Sequence, residues 1–449
     1  MSARDLPSVD RLVRALDTPL PASVVSDVAR SAIGTARERI LSGEDADAES
    51  LARDSVERLE RARPTKVINA TGVLLHTNLG RAPLHPQAAA AATETATGYS
   101  NLELSLSDGR RGGRTTYLDR LLRVITGAEA TLVVNNNAAA LYLTLTALAA
   151  GREVPVSRGE LIEIGGSYRL PELMAASGTR LIEVGTTNRT RIGDHAAAAG
   201  GKTALLLKVH PSNYRISGFS EEASVREMVD LAAEVGVPFV FDIGSGLIDI
   251  RAPWIDGPPP AWLGNEPGVV QSLTEGADLV MFSGDKLFGG PQAGVIAGSS
   301  DLIATLKAHP VSRALRLDGP TLAALTVTAE IHADGRAREL PFWAMATATI
   351  DDLGSRSEDI LDRSGVSGAV VDATSTVGAG SVPGSEVPSR AIAVSDIPAD
   401  ALYLALLAGA VPVVARRDTG RVLIDPRAVD PADDEQLAAL LRSAVDRCR

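Results

Sequence analysis

One lysine stands in a glycine-rich stretch directly after an apolar run. The run, residues 277–282, predicts a buried strand, and Lys286 follows within Ser-Gly-Asp-Lys-Leu-Phe-Gly-Gly, which begins at Ser283. In α/β proteins, catalytic groups collect at the C-terminal ends of such strands. A lysine that is partly removed from water has a lowered pKa, and its neutral amine attacks carbonyl carbons. The stretch therefore indicates Schiff-base chemistry at Lys286, and a helix-capping or salt-bridging lysine is an equally open alternative.

A carboxylate interrupts a second apolar run. Residues 237–243 are apolar except for Asp242, and the run ends in a Gly-Ser-Gly turn, so Asp242 is expected at the C-terminal end of a buried strand. Burying a charge without a partner costs roughly several kcal/mol, so this carboxylate needs a cationic partner, and a protonated pyridine nitrogen would serve. The alternative is an aspartate that caps the next helix.

A third stretch offers groups that bind phosphate. An apolar strand pattern at 132–134 runs into Asn135, Asn136 and Asn137 and then into a helix-forming segment. Free amides at a helix N-terminus attract phosphate, and Ser283 could add a hydroxyl, although asparagines also cap helices in ordinary loops. The order of phosphate turn, aspartate and lysine points to an enzyme of the aspartate-aminotransferase type that uses pyridoxal phosphate (PLP).

Composition limits the class of protein. The chain has 449 residues, 45% hydrophobic content and a formal net charge of -12, which argues against a surface generally adapted to nucleic acid. Its one cysteine, Cys448, excludes an internal disulfide and a cysteine-rich metal site. No apolar signal core or membrane-spanning stretch is visible, so we expect a cytoplasmic protein without a membrane partner.

The remaining pattern predicts three domains. Helical spacing marks residues 1–64, and a large α/β domain with an N-terminal arm is expected at 65–333. Strands and helices alternate from residue 128, which predicts a mostly parallel wound sheet. Short apolar runs predict a small α+β domain at 334–449. Asn213, just after one predicted strand, is a candidate for hydrogen bonding the phenolic oxygen of PLP.

With these residues in view, the sequence closely resembles bacterial selenocysteine synthases, the L-seryl-tRNA(Sec) selenium transferases. The similar blocks cover roughly residues 66 to 330, and the two ends fit that family by length and position. The blocks are residues 68–72, 76–81, 134–140, 157–160, 163–166, 183–190, 283–294 and 309–315.

The resemblance implies a fold-type-I PLP enzyme that makes selenocysteyl-tRNA(Sec) from seryl-tRNA(Sec) and selenophosphate. Lys286 would form the cofactor aldimine and remove the α-proton, Asp242 would lie beneath the ring nitrogen, and the serine hydroxyl would leave to give aminoacrylyl-tRNA. The N-terminal domain would grip the tRNA. The chain would form dimers assembled into a decameric ring, and the loop at 289–292 resembles loops that reach a neighbouring subunit's cofactor.

The resemblance also implies a selenophosphate site at Arg81, Arg313 and Arg316, with Asp285 beside the lysine. Arg313 and Arg316 are three residues apart, so on a helical turn both guanidinium groups would share one face and grip one anion. Pairing of these arginines with carboxylates such as Asp318 is the alternative.

Two other functions stay open from the sequence. One is an enzyme of the same fold that acts on a small amino acid or an amino-sugar phosphate, for which an N-terminal tRNA domain would be superfluous. The other is a non-catalytic tRNA-binding protein, against which the presence of both Asp242 and Lys286 argues.

Overall fold

The computed structural model describes residues 5–164, 168–378 and 380–449. The chain forms two compact units, and the division falls after Val67. The strands are β1 Ile68–Ala70, β2 Ala130–Val134, β3 Glu153–Ser157, β4 Glu163–Ile164, β5 Tyr168–Arg169, β6 Arg180–Val184, β7 Leu206–Val209, β8 Phe239–Gly244, β9 Leu279–Ser283, β10 Gly294–Gly298, β11 Ala369–Ser375, β12 Val387–Val394, β13 Val413–Asp418 and β14 Arg421–Ile424. The α-helices are α1 Val9–Ala15, α2 Ala22–Leu41, α3 Ala48–Arg61, α4 Pro86–Thr97, α5 Thr116–Thr126, α6 Asn137–Ala149, α7 Leu170–Ala176, α8 Ile192–Ala198, α9 Val225–Val235, α10 Val269–Thr274, α11 Ser300–Ala308, α12 Pro310–Ala314, α13 Gly319–Ala333, α14 Pro341–Thr347, α15 Ile350–Ser364, α16 Ala399–Leu407 and α17 Asp434–Cys448.

The first unit is a three-helix unit built from α1, α2 and α3. Side-chain caps start two of its helices: Ser8 accepts the Arg11 amide at α1, and Asp47 accepts two amides at α3. Small and branched apolar side chains, such as Leu12, Ala29 and Ala52, fill its core. The helices predicted in this region are present, and they are stabilised by these caps and by apolar packing.

A five-stranded sheet organises the first part of the second unit. Its order is β2-β10-β9-β8-β7, and β10 alone runs against the other four strands. Strands β8 and β9 are buried along their whole length, because apolar clusters cover both faces of the sheet. The mostly parallel sheet expected from the sequence is therefore present, with its centre closed to water.

A second five-stranded sheet lies in the C-terminal part, in the order β1-β13-β14-β12-β11. Helices α15, α16 and α17 supply much of its apolar core. Strand β1 joins this sheet by parallel pairing with β13, although it lies far away in sequence. The predicted boundary at 333/334 stays a prediction, and the structure adds that the first strand of the second unit belongs to the C-terminal sheet.

None of the helices in the described part of the chain is both long and apolar enough to cross a membrane.

Candidate active site

A cavity of about 250 Å³ opens where β7, β8 and β9 end and α6 begins. The C-terminal ends of parallel strands meet at this edge, so side chains from distant parts of the sequence converge on it. The lining residues are Arg81, Asn136, Asn137, Ala138, Ile162, Ile164, Tyr168, Val209, His210, Ser212, Asp242, Gly244, Ser283, Asp285, Lys286, Gln292 and Ala293.

Lys286 lies in the turn after β9 and is only 4% exposed. Burial, helped by the nearby Arg81 guanidinium, lowers the pKa of its ammonium group to about 8, although Asp285, Asp242 and Glu266 act in the opposite direction. The amine is therefore far more often neutral at physiological pH than that of a solvated lysine.

Glycines let the lysine turn pack closely. A Cβ on Gly284 would lie 2.6 Å from the Pro291 carbonyl oxygen, and Gly290 donates its amide to the Gly284 carbonyl over 2.8 Å. A Cβ on Gly380, in the C-terminal region, would lie 3.2 Å from Lys286 Nζ. The glycine-rich sequence around the lysine thus reflects a turn that admits no side chains at these points.

The reach of the loop at 289–292 toward a neighbouring subunit's cofactor stays a prediction. Gly289 and Gly290 are buried within their own chain, and Gln292 lines the cavity of that chain.

Asp242 lies near the end of β8, at an irregularity in the pairing with β9, and it is 5% exposed. Asn137 donates its side-chain amide to Asp242 Oδ1 over 2.8 Å. Burial raises the pKa of this carboxyl group, and the Asn137 bond and the positive charge of Lys286 only partly oppose that effect. A cationic ligand atom beside Asp242 would stabilise its ionised form.

The three asparagines of the turn after β2 make different contacts. The Asn136 side chain caps α6 by accepting the Ala139 amide over 2.8 Å, while Asn137 turns to Asp242. Asn135 is exposed, donates its backbone amide to the Leu315 carbonyl and does not line the cavity. Its predicted role in cofactor binding is not supported by this placement, because the chain turns at Asn136 before entering the helix.

Arg81 and Asp285 form a partly buried ion pair beside the lysine. Arg81 Nη1 lies 2.8 Å from Asp285 Oδ2, and Arg81 has a left-handed backbone with φ of 63°. Asp285 Oδ1 is buried and has no hydrogen-bond partner among the described residues. Both residues thus line the cavity, and one carboxylate oxygen is left to contact a ligand.

Arg313 and Arg316 are not brought into the cavity. Both are exposed, and Arg316 lies 3.6 Å from Glu103. Helix α12 ends at Ala314, so the expected helical turn that would hold both arginines on one face does not exist. Asp318 caps α13 through the Thr321 amide. The shared-face argument is therefore wrong, because the helix ends between the two arginines.

Asn213 is also outside the cavity. Its side-chain amide donates to the Glu163 carbonyl over 2.6 Å, which turns it away from the position expected for a cofactor contact. His210 and Ser212, in the same segment after β7, line the cavity instead. The signal that could have identified His210 is its position: it is the first residue after the strand that pairs with the Asp242 strand. Gly165 and Gly166, part of one similar block, lie outside the described residues.

Comparison with known proteins decides the family. The family model described as L-seryl-tRNA selenium transferase matches residues 67–430. The L-seryl-tRNA(Sec) selenium transferase of Moorella thermoacetica is 46% identical over 465 aligned residues, which cover 99% of this chain and 97% of the relative. The chain belongs to the L-seryl-tRNA selenium transferase family.

Other comparisons agree with this family assignment. The L-seryl-tRNA(Sec) selenium transferase of Solidesulfovibrio magneticus is 43% identical, with 96% of this chain and 95% of the relative covered. Among solved structures, D-glucosaminate-6-phosphate ammonia-lyase superposes with a TM-score of 0.61 at 20% identity, covering 87% of this chain and 98% of that one. This likeness shows the fold, and it confirms the fold-type-I α/β class expected from the sequence.

Proposed function

We propose that this chain converts L-seryl-tRNA(Sec) to L-selenocysteyl-tRNA(Sec), with PLP as its cofactor and selenophosphate as its selenium donor. The observation that carries the proposal is the meeting of Lys286 and Asp242 in one cavity, in a chain 46% identical to a selenium transferase over nearly its whole length. A binding protein without catalysis would gain nothing from burying these two charged groups.

The residues present fit PLP. Lys286 offers a buried amine whose pKa is lowered to about 8, and Asp242 offers a carboxylate for the proton on the pyridine nitrogen. The first amides of α6 have no acceptor within the helix, so together with the Ser283 hydroxyl they suit a phosphate. The buried, unpartnered Asn137 Oδ1 and Asp285 Oδ1 mark further polar positions that a ligand would satisfy, as judged over the described residues.

When bound, PLP supplies an electron sink for the α-carbon of the serine residue. Lys286 Nζ takes the proton from that carbon, which its lowered pKa makes possible near neutral pH. Asp242 holds the proton on the ring nitrogen and so keeps the sink strong. The burial of both groups excludes bulk water, which strengthens their interaction and protects reactive species.

The selenium donor requires a cationic site near the β-carbon of the serine residue, from which the hydroxyl leaves. Arg81 lies on the cavity wall and is held by Asp285, and we assign it the first contact with selenophosphate. Arg313 and Arg316, whose guanidinium groups are exposed, are retained in the proposal as further contacts to selenophosphate. A charge-assisted bond from arginine to such a tetrahedral anion contributes about 1.5–3 kcal/mol.

The tRNA is assigned to the three-helix unit of residues 5–67, which is compact and has no cavity residue of the proposed reaction. Assembly of dimers into a decameric ring and a location in the cytoplasm are retained as further parts of the proposal. Sedimentation of the active protein at micromolar concentration checks the assembly, since an active monomer would contradict it.

The decisive experiment supplies purified protein with PLP, seryl-tRNA(Sec) and selenophosphate, and measures selenocysteine attached to the tRNA. We expect selenocysteyl-tRNA(Sec) to form only when all three are present, and Lys286→Ala to form it roughly ten-thousandfold more slowly. Turnover of free serine or an amino-sugar phosphate, without any reaction on seryl-tRNA(Sec), would replace this proposal by that of a small-molecule lyase.

A further inference from the structure

A histidine and a glutamate form a pair at the edge of the cavity that the proposed reaction has not yet used. His210 Nε2 lies 3.1 Å from Glu266 Oε2, and the Glu266 side chain is 2% exposed while that of His210 is 20% exposed. Glu266 Oε1 is buried and has no hydrogen-bond partner among the described residues. The carboxylate therefore lies behind the imidazole, and the imidazole lies between it and the cavity.

The position of His210 follows from the sheet. Val209, at the end of β7, pairs with Asp242 in β8, and His210 donates its backbone amide to the Asp242 carbonyl over 2.8 Å. Strand β9, with Ser283, lies on the other side of β8. Asp242 thus has the phosphate-binding groups on one side and His210 on the other.

The positions of the substituents on PLP indicate which cofactor atom would lie beside His210. On the pyridine ring, the phosphate arm and the phenolic oxygen stand on opposite sides of the axis from the ring nitrogen to the carbon that bonds the lysine. With the nitrogen at Asp242 and the phosphate at α6 and Ser283, the phenolic oxygen faces the end of β7. Asn213 is excluded from that place because its amide donates to the Glu163 carbonyl.

His210 and Ser212 are the polar side chains of this segment that line the cavity. His210 differs from Ser212 because a buried carboxylate fixes one of its nitrogens, which leaves Nδ1 for a ligand. An imidazole donates from both nitrogens when it carries both protons, and a carboxylate beside Nε2 can accept one of these bonds.

We propose that His210 donates a hydrogen bond to the phenolic oxygen of PLP, and that Glu266 is the positioning residue that holds the imidazole in place. This assignment rests on the proposed function, because it requires PLP in the cavity.

The proposal has a spectroscopic consequence. A donor at the phenolic oxygen withdraws negative charge that would otherwise stabilise the protonated form of the link between PLP and Lys286. Loss of the donor therefore raises the pH at which the visible absorbance band of the resting holoenzyme titrates. The charged groups that act on Lys286 from the surrounding elements are Arg81, Asp285, Asp242 and Glu266, and they are unchanged in a His210 variant.

The test is a pH titration of the visible band in purified holoenzyme, together with PLP affinity measured by titration of the apoprotein. His210→Leu should raise the midpoint by about one pH unit. His210→Asn, whose amide can replace Nδ1, should restore part of the shift. Glu266→Gln also removes a charge that raises the pKa of Lys286, so this variant is scored by PLP affinity, which should fall. His195→Leu is the matched control, since His195 is buried and does not line the cavity.

A His210→Leu holoenzyme that titrates at the wild-type midpoint would overturn the assignment, as would an equal shift in His195→Leu. If His210→Leu does not fold, the isosteric Glu266→Gln decides alone, and an unchanged PLP affinity in that variant would overturn the positioning role. A wild-type protein that shows no visible band after reconstitution with PLP would instead contradict the proposed cofactor.

Discussion

The cavity around Lys286 and the surface around Arg313 place charged groups in opposite environments. Lys286 and Asp242 are each at most 5% exposed. A close-packed turn holds Lys286, and a hydrogen bond from the Asn137 side-chain amide holds Asp242. Arg313 is exposed, and no ion pair joins it to any described residue. Arg316 is 42% exposed and lies 3.6 Å from Glu103.

This difference indicates which groups must be positioned by the core of the chain and which must stay accessible to a ligand. Burial is required to lower the pKa of Lys286 and to exclude water from the reacting carbon, so these groups must be positioned by the core of the chain itself. An anion that enters and leaves with each turnover needs accessible cations, which keep their hydration until the ligand binds. Arg81 is held by Asp285 at the cavity wall. It therefore belongs to the buried region, where it acts on Lys286, and it also offers a cation to the entering anion.

The largest effect is expected from the buried region. Lys286→Ala removes the amine that bonds the cofactor and moves the α-proton, so we expect selenocysteyl-tRNA formation to fall roughly ten-thousandfold. Lys202→Ala, which removes an exposed lysine, is the control and should keep normal activity. Rates measured with saturating PLP test this expectation, and substantial activity in Lys286→Ala would show that the buried region is not the reaction centre.

The second largest effect is expected from deletion of the three-helix unit, which tests whether the tRNA is bound outside both regions. Deletion of residues 1–67 follows the division between the two compact units, so the sheet and cavity residues remain intact. We expect tRNA affinity to fall roughly a hundredfold to a thousandfold while the visible PLP band is retained. Filter binding at matched salt measures the affinity. Undiminished affinity in the truncated protein would place recognition in the second unit.

The third effect tests the exposed arginines. Arg313→Ala or Arg316→Ala should weaken selenophosphate binding about tenfold to a hundredfold, because each removes a charge-assisted bond to an anion. Loss of the serine hydroxyl from seryl-tRNA should continue, and selenium incorporation should partly recover at high selenophosphate concentration.

The matched control for these arginines is Arg226→Ala, another exposed arginine. Release of the serine hydroxyl and selenium incorporation are measured in the same preparation. If elimination falls as severely as selenium transfer in either variant, that arginine positions the tRNA or the serine residue, and its assignment to the selenium donor fails.

The smallest effect concerns the pH dependence of covalent PLP capture by the apoprotein. The neutral amine is the nucleophile, and the pKa of Lys286 is lowered to about 8, so the capture rate should rise about fivefold from pH 7 to 8 and level off above that. Because Arg81 lowers this pKa and Asp285 raises it, Arg81→Gln should move the midpoint up and Asp285→Asn should move it down. Stopped-flow absorbance measures the midpoint, and a rate that still rises about tenfold between pH 8 and pH 9 would indicate a solvated lysine.

The sequence was most informative where a local pattern determines a position. The apolar runs before Asp242 and Lys286 predict strand ends correctly, because a buried strand needs only its own residues to be recognised. The glycines around Lys286 likewise indicate a tight turn.

Sequence reasoning was least informative where a side chain has several possible directions. Asn135, Asn136 and Asn137 are identical in type, yet one is exposed, one caps α6 and one binds Asp242. The three-residue spacing of Arg313 and Arg316 likewise does not reveal that α12 ends between them. The pairing of His210 with Glu266 joins residues 56 positions apart, which no local pattern reveals.

The most direct test of the central claim is borohydride reduction of the holoenzyme, followed by mass mapping of its peptides. The lysines that could carry the cofactor are Lys66, Lys202, Lys208, Lys286 and Lys307. Lys208 is the instructive competitor, because it is also buried but is paired with Glu160 and Glu222, so its pKa is raised even though burial, the largest influence, acts to lower it. We predict reduced PLP on Lys286 alone. Cofactor attached to Lys208 or another lysine, or no attachment in a protein fully reconstituted with PLP, would contradict the account of this site.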